Sequence, residues 1–137
     1  MKELTTIEDS GELLASILNG SFEVGMLEMG KEKNSFPVPD GFTAIGEFEC
    51  DPVAIKKETN EVVVLDHEVL GRVMTKAASS IKEFIEALSL IYDYFESDDL
   101  DDEDEEDEEE MKRVAEAASL KAGGKDYQSL WHMFFGV

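Results

Sequence analysis

Few side chains in this chain are suited to acid–base or metal chemistry, and they are far apart in the sequence. The two histidines are His67 and His132, and the one cysteine is Cys50. The segment Asp66-His67-Glu68 is the first candidate for a catalytic site, because a carboxylate beside an imidazole can tune the pKa of a general base. We interpret it as a polar strand end that enters a turn, since neighbours on a strand point to opposite faces and cannot share one site. A small hydrolase that uses Asp66 or His67 is therefore the least favoured function.

Cys50 and His132 are no better candidates for catalytic residues. Glu49 and Asp51 flank the cysteine, and negative neighbours disfavour the thiolate that a nucleophile needs. His132 lies in an aromatic C-terminal segment, where a hydrogen-bonded packing role is expected. The sequence has no Gly-rich phosphate loop, Gly-x-Ser-x-Gly elbow or Cys-x-x-Cys pair, and it lacks a credible set of four zinc ligands. We therefore predict no catalytic residues, no metal and no cofactor.

An acidic run from Asp98 to Glu110 dominates the charge of the chain. Only Leu100 within it is not acidic, and the run contributes −12 of the formal charge of −21. If a calcium-binding loop began at Asp99, its sixth position would be Asp104, where the sharp turn needs glycine, so a dedicated calcium site is not expected. The remainder of the chain still carries −9. Such charge repels nucleic acid and anionic membranes and attracts basic partners.

Two interpretations of the acidic run stay open. It is either a solvated linker that keeps the protein soluble, or an arm that steers a basic partner and raises the encounter rate roughly 10- to 1000-fold at low salt. The candidate steering acids are Asp98, Asp99, Asp101, Asp102, Glu103, Asp104, Glu105, Glu106, Asp107, Glu108, Glu109 and Glu110.

Length and composition predict one folded domain over residues 1–137. The chain is 42% apolar, which is ordinary for a globular protein with a buried core. A single cysteine excludes an internal disulfide and suits a reducing compartment. The N-terminus does not resemble a signal peptide, and no stretch approaches the roughly 20 apolar residues that span a bilayer. We expect a cytoplasmic protein that binds neither nucleic acid nor membranes.

Helical periodicity predicts two helices that open with capping boxes. Thr5-Thr6-Ile7-Glu8 has the Thr-x-x-Glu form and predicts a first helix over about 6–19. Ser80-Ile81-Lys82-Glu83 opens a second helix over about 80–96, whose apolar residues form one continuous stripe. This stripe is expected to pack on a sheet.

The C-terminal segment 111–137 is expected to dock on the domain, after an acidic insert at 97–110 that we expect to be disordered. A weaker apolar stripe predicts a helix over 111–122, which Gly123-Gly124 ends. The aromatic tail that follows is too apolar for a solvated end. The pattern leaves open whether it forms a short helix or an edge strand.

Short β-type runs broken by Gly, Pro and Asn fill the middle of the chain. The predicted strands cover residues 22–28, 42–49, 53–57, 61–65 and 70–75. A polar turn, Glu58-Thr59-Asn60, lies between the third and fourth of these runs and predicts an antiparallel hairpin. The pattern as a whole indicates an α+β protein.

Several pieces of the sequence between Phe42 and Phe95 match a known family pattern. They are Ile45-Gly46, Asp51-Pro52-Val53-Ala54-Ile55, Leu65-Asp66-His67-Glu68, and the small-residue cap and helix from Ala78 to Leu88. With this order of elements, the chain resembles the SUKH superfamily. That group includes bacterial immunity proteins, which neutralise toxins, and a fungal regulator of cell-wall assembly.

The resemblance implies an α+β fold in which helices flank a central, mainly antiparallel sheet of about five or six strands. It also implies that the protein has no catalytic residues and neutralises a toxin by binding it. A basic nuclease is one such toxin, because its own substrate is anionic. The alternative is a regulatory scaffold or interaction domain without a toxin partner. The family is defined by its fold more than by a site, so no binding residue is carried over from it.

Overall fold

The computed structural model describes residues 6–20, 22–24, 27–30, 38–49, 51–69, 71–95 and 108–134. The helices are α1 (Ser10–Asn19), α2 (Ile81–Phe95), α3 (Glu108–Ala122) and α4 (Gln128–Met133), and a 3₁₀ turn at Lys125–Tyr127 precedes α4. The strands are β1 (Phe22–Val24), β2 (Leu27–Met29), β3 (Phe42–Phe48), β4 (Asp51–Lys56), β5 (Val62–Leu65) and β6 (Val73–Ala78). The predicted α+β class is confirmed.

The six strands form one antiparallel sheet in which spatial order follows chain order, from β1 to β6. The predicted hairpin is confirmed as β4 and β5, where Val53 lies opposite Val64 and Ile55 opposite Val62. Asn60 takes a left-handed conformation in the connecting turn, with φ 66°. Its backbone N–H donates to the carbonyl of Lys56 at 2.7 Å. Asn tolerates this conformation better than most residues, so the short polar turn fits the hairpin.

Two strand predictions were wrong in their limits. The single strand expected over 22–28 is a hairpin of β1 and β2, in which Val24 lies opposite Leu27. Gly25, a residue that two-residue hairpin loops favour, was the available sequence signal. The last strand begins at Val73 and not at residue 70. The chain is still turning before it, because Gly71 has φ 85° and the N–H of Arg72 donates to the carbonyl of Val69 at 3.1 Å.

The helix predicted over 80–96 is confirmed as α2, whereas α1 begins later than its capping box indicated. Ser80 Oγ accepts the N–H of Glu83 at 3.4 Å at the start of α2. In α1 the cap is Asp9, whose Oδ1 accepts the N–H of Gly11 at 2.8 Å. Asp is as good a cap as Thr, so the later cap is used. Ile7 lies ahead of the helix and packs against the core.

The described helices pack on one face of the sheet, which we call the inner face. Its buried strand residues are Val24, Leu27, Met29, Ile45, Phe48, Val53, Ile55, Val62 and Val64. They share one hydrophobic cluster with buried side chains of every described α-helix, such as Leu13, Phe84, Ala118 and Trp131. Removal of this apolar surface from water is the main term that holds the helices to the sheet.

The aromatic C-terminal segment forms the short helix α4, one of the two arrangements that the pattern left open. Trp131 is fully buried, and its Nε1–H donates to the carbonyl of Ala77 in β6 at 3.0 Å. The Trp131 ring stacks on Phe134 with centroids 5.9 Å apart and lies 5.5 Å from Phe84. The preceding helix α3 ends where predicted, at Gly123, which has φ 137°. This turn directs the chain back onto β6.

Helix α3 begins at Glu108, three residues before the predicted start. The last three acids of the run therefore belong to its first turn, where negative charge is favourable at the positive end of the helix dipole. The rest of the acidic run, residues 98–107, lies outside the described residues.

A close approach of β2 and β3 requires glycine at position 46. A Cβ there would lie 2.4 Å from the carbonyl oxygen of Glu28 and 2.8 Å from Met29 Sδ. We expect Gly46→Ala to separate these strands and to lower the free energy of unfolding by roughly 1–3 kcal/mol. Urea denaturation followed by circular dichroism measures this. The matched control is Gly11→Ala in α1, where a Cβ meets nothing closer than 3.4 Å. Equal stability of Gly46→Ala and the wild type would contradict the prediction.

A hydrogen bond ties the C-terminal segment to the β4–β5 hairpin. Tyr127 Oη donates to Glu61 Oε2 at 2.8 Å, and Lys76 Nζ lies 3.5 Å from the same oxygen. The bond from Tyr127 lowers the pKa of Glu61. Because the Glu61 carboxylate accepts this hydrogen bond, the pKa of Tyr127 is raised to about 12.

Replacement of Tyr127 by Phe should cost about 1 kcal/mol near neutral pH, because it removes this bond. The folded pKa of Tyr127 lies above its ordinary value of 10.0. The stabilisation by this hydrogen bond is therefore fully present below pH 10.0 and is lost as the pH rises toward about 12. The free energy of unfolding of the wild type should fall more steeply over this range than that of Tyr127→Phe. Urea denaturation measures both free energies. If those of the wild type and of Tyr127→Phe change with pH in parallel, the hydrogen bond makes no contribution.

Candidate partner-binding face and the Asp51–His67 cluster

Three glutamates form a row on the face of the sheet that lies opposite the helices. Glu23 of β1 lies opposite Glu28 of β2, which lies opposite Glu47 of β3. Their strand neighbours point to the inner face, so these three side chains point to the other side. We call that side the outer face and the three glutamates the acidic row. The residues of the outer face include Glu23, Glu28, Phe42, Glu47, Pro52, Ala54, Lys56, Val63, Leu65, Val73 and Lys76.

The acidic row is unfavourable for the isolated sheet. Side chains directly opposite each other have Cβ atoms about 4.5–5.5 Å apart, and like charges at that spacing are destabilising. Glu23 is exposed, Glu28 is half-buried, and Glu47 is 9% exposed and has interactions of its own within the chain. A cationic group placed over Glu23 and Glu28 would relieve the repulsion. The row is therefore suited to bind positive charge.

The outer face becomes apolar toward β6. Ala54, Val63 and Leu65 form a small buried cluster covered by Val38 and Phe42. Three apolar side chains that are close together in the sequence are exposed here: Val73, which lies opposite Leu65 on the outer face, Val69 in the preceding turn, and Met74 next to Val73 in β6, with Val69 49%, Val73 39% and Met74 51% exposed. We call these three residues the apolar edge. Exposed apolar groups that lie together commonly mark a site of protein–protein contact.

The acidic row and the apolar edge are close enough for one partner to contact both. Glu47 lies opposite Pro52 in β4, and Leu65 of β5 lies opposite Val73 in β6. Neighbouring strands are about 4.8 Å apart, so Val73 is separated across the sheet by roughly 14 Å from Glu47, roughly 19 Å from Glu28 and roughly 24 Å from Glu23. A standard interface covers about 800 Å² of each partner and spans such a distance. Its usual pattern is an apolar centre with a polar rim.

Few of the acids singled out from the sequence are among the described residues. Glu108, Glu109 and Glu110 belong to α3, in the helical layer, and the other steering candidates lie outside the described residues. Sequence reasoning missed the acidic row because its members come from three separate strands. Strand alternation was the only signal, and it becomes informative only when the pairing register is known.

The segment Asp66-His67-Glu68 lies beyond the end of β5 at Leu65, so its interpretation as a polar strand end entering a turn is confirmed. The argument that its neighbours cannot share one site was wrong, because the segment is not a strand. Asp51, at the start of β4, accepts two hydrogen bonds from His67 at the same oxygen, Oδ1. Nδ1 of His67 lies 2.9 Å from this oxygen, and the backbone N–H lies 3.2 Å from it.

Asp66 completes this cluster of two carboxylates and one imidazole. Its Oδ1 accepts the N–H of Glu68 at 2.7 Å, and its Oδ2 lies 3.7 Å from Arg72 Nη1. One ligand-type atom from each of Asp51, Asp66 and His67 lies within 4.8 Å of the others. The hydrogen bond with Asp51 raises the pKa of His67. The sequence prediction of no metal ligands did not anticipate this grouping, since Asp51 is brought there by strand pairing.

The other residues considered for catalysis do not join this cluster. Cys50 lies outside the described residues. His132 is half-buried in α4 and lines a cleft of about 250 Å³ together with Ser119 and Leu120. A second cleft, of about 320 Å³, lies between α1 and the start of α2 and is lined by Leu14, Ile55 and Ile81, among others. Neither cleft of the described chain combines a histidine with two carboxylates.

No helix among the described residues is both long enough and apolar enough to cross a membrane. The family model of the SUKH-4 immunity proteins matches residues 23–122, well over half of the chain. The protein therefore belongs to the SUKH-4 immunity protein family, a part of the SUKH superfamily. This confirms the resemblance inferred from the sequence, and the matched region includes the acidic row, the apolar edge and the Asp51–His67 cluster. No curated protein and no solved structure matches the chain.

Proposed function

We propose that this protein is an immunity protein that neutralises a toxin by binding it, and that it catalyses no reaction. Family membership supports a toxin as the partner class. The observation that carries the proposal further is the acidic row on the outer face together with the apolar edge, of which Val73 lies on the same face. This combination favours a toxin with a basic surface, and a nuclease is an example of that class.

The proposed mechanism is occlusion of the toxin. Lys or Arg side chains of the toxin lie over Glu23 and Glu28 and relieve the repulsion between these acids. Apolar groups of the toxin pack on Val73 and Met74 and exclude water from the centre of the contact. The negative charge of the whole chain steers the approach and raises the association rate. The toxin then cannot reach its own anionic substrate.

The two other functions considered have less support. Membership in an immunity family favours toxin binding over a regulatory scaffold without a toxin. A hydrolase based on His67 is disfavoured because His67 and Glu68 are exposed and neither of the two clefts described above includes the cluster. Full protection from the toxin by a His67→Ala variant would support the binding role. We propose the cytoplasm as the compartment, because the single cysteine suits a reducing environment.

Charge reversal on the acidic row tests the proposed face. The ligand is an inactive variant of the toxin encoded beside this chain, and calorimetry measures the affinity. We expect the double variant Glu23→Lys/Glu28→Lys to bind about 100-fold more weakly, because two close charge pairs become repulsive. The matched control reverses two exposed acids in the helical layer, Glu12→Lys and Glu116→Lys, for the same change in net charge.

The control should retain the affinity within a few-fold, because distant charges act mainly on the association rate. An equal loss in both double variants would assign the effect to net charge and contradict a role for the outer face. Wild-type affinity of Glu23→Lys/Glu28→Lys would contradict it as well.

The steering role proposed for the acidic run has a separate test. All nine acids between residues 98 and 107 are replaced by Ser, and the helical acids Glu108–Glu110 are kept. We expect slower association with the toxin at low salt, a difference that shrinks as salt screens the charges. The dissociation rate and the thermal midpoint should not change. An unchanged association rate would favour the solubilising linker, and a large drop in the midpoint would indicate a structural role.

A further inference from the structure

The geometry points to a binding site for a divalent ion of the zinc, nickel or cobalt class, formed by Asp51, Asp66 and His67. Their three ligand-type atoms lie within 4.8 Å of one another. This inference does not depend on the proposed function, because it concerns the end of the sheet and not the acidic row.

Two central strands of the sheet position the carboxylates. Val53 of β4 lies opposite Val64 of β5, and continuation of this antiparallel register places Asp51, two residues before Val53, beside Asp66, two residues after Val64. Their side chains are only 16% and 15% exposed. Asp51 is held by its place at the start of β4, and Asp66 by the hydrogen bond that its Oδ1 accepts from the N–H of Glu68. The two negative charges at this spacing repel each other, and a dication between them would replace that repulsion by attraction.

The imidazole decides which ions the site would prefer. His Nδ1 is 2.9 Å from Asp51 Oδ1, whereas two ligands of a tetrahedral zinc ion, each about 2.0–2.2 Å from it, are roughly 3.3 Å apart. A small movement would therefore admit the ion. The proton now between these atoms would pass to solvent when the ion binds, and water would fill the remaining positions. Imidazole with carboxylates suits zinc, nickel and cobalt, whereas carboxylates alone suit calcium and magnesium.

Because it contains an imidazole, the cluster is expected to prefer zinc, nickel or cobalt. The acidic run, whose charged groups are all carboxylates, is expected to prefer calcium or magnesium. Ion binding at the cluster would also fix the β5–β6 turn, because His67 and Asp66 precede Val69 in that turn and Asp51 belongs to β4. The neighbouring charged groups are Glu68, whose Oε1 is 3.8 Å from His67 Nε2, and Arg72, which lies beside Asp66.

Imidazole NMR signals of the full chain during zinc titration test the site. The chain has two histidines, so His132 is an internal control. We expect saturable shifts of the His67 ring signals at one equivalent, while the His132 signals stay in place. Asp51→Asn and Asp66→Asn should each weaken binding at least about tenfold. His132→Gln, the control variant, should bind zinc like the wild type.

Calcium should leave the His67 ring signals unchanged, because it requires six to eight oxygen ligands and the cluster supplies only two carboxylates. Three results would overturn the inference. They are the absence of saturable shifts at His67, equal affinity of the two Asn variants and the wild type, and full retention of zinc binding by His67→Ala. Circular dichroism of each variant confirms that it is folded, and His67 is exposed enough to be replaced without damage to the core.

Discussion

Burial of a single face of the sheet beneath the helices is the constraint on which the rest of this structure depends. Every described α-helix contributes to the one hydrophobic cluster on the inner face. Trp131 joins α4 to β6 through its ring packing and through its hydrogen bond to Ala77, so the C-terminal segment belongs to the same core. Because the core uses one set of alternating strand positions, the other set forms the outer face, where Glu23, Glu28 and Val73 are accessible while Ala54, Val63 and Leu65 are covered by Val38 and Phe42.

The composition of the outer face follows from that division of roles. A sheet position that faces the core must be apolar, whereas one that faces away is under no such demand. Three acids in register at Glu23, Glu28 and Glu47 oppose the stability of the strands that carry them. The tight contact at Gly46 keeps β2 and β3 together beneath this row. The proposed binding of a cation-rich partner would offset the repulsion between these acids.

Local signals in the sequence predicted those elements whose formation is decided locally. The stripe and capping box of α2 lie within consecutive turns of one helix, and the hairpin of β4 and β5 follows from two apolar runs around a polar turn. The end of α3 was equally readable from Gly123. Family resemblance from residues 42–95 added the arrangement of the sheet, and the observed six-stranded antiparallel sheet confirms it. The start of α1 was missed because two good caps compete within a few residues.

The functional groupings could not be predicted in the same way, because each joins residues that are distant in the chain. Asp51 and His67 are 16 residues apart, and they meet only because β4 pairs with β5. The acidic row needs the register of three strands, one of which was not recognised as separate. Charge density drew attention to the run at 98–110, whereas the row has fewer acids and depends on placement.

Hydrogen–deuterium exchange of this protein, alone and with its inactive toxin, measures the central claim most directly. Amide protection should appear in β1, β2 and β3 and in residues 71–76, where the outer face carries the acidic row and the apolar edge. The amides of α1 and α3 should exchange at unchanged rates. Protection confined to the helices, with unchanged exchange in these strands, would show that the toxin binds the helical layer and would contradict the account.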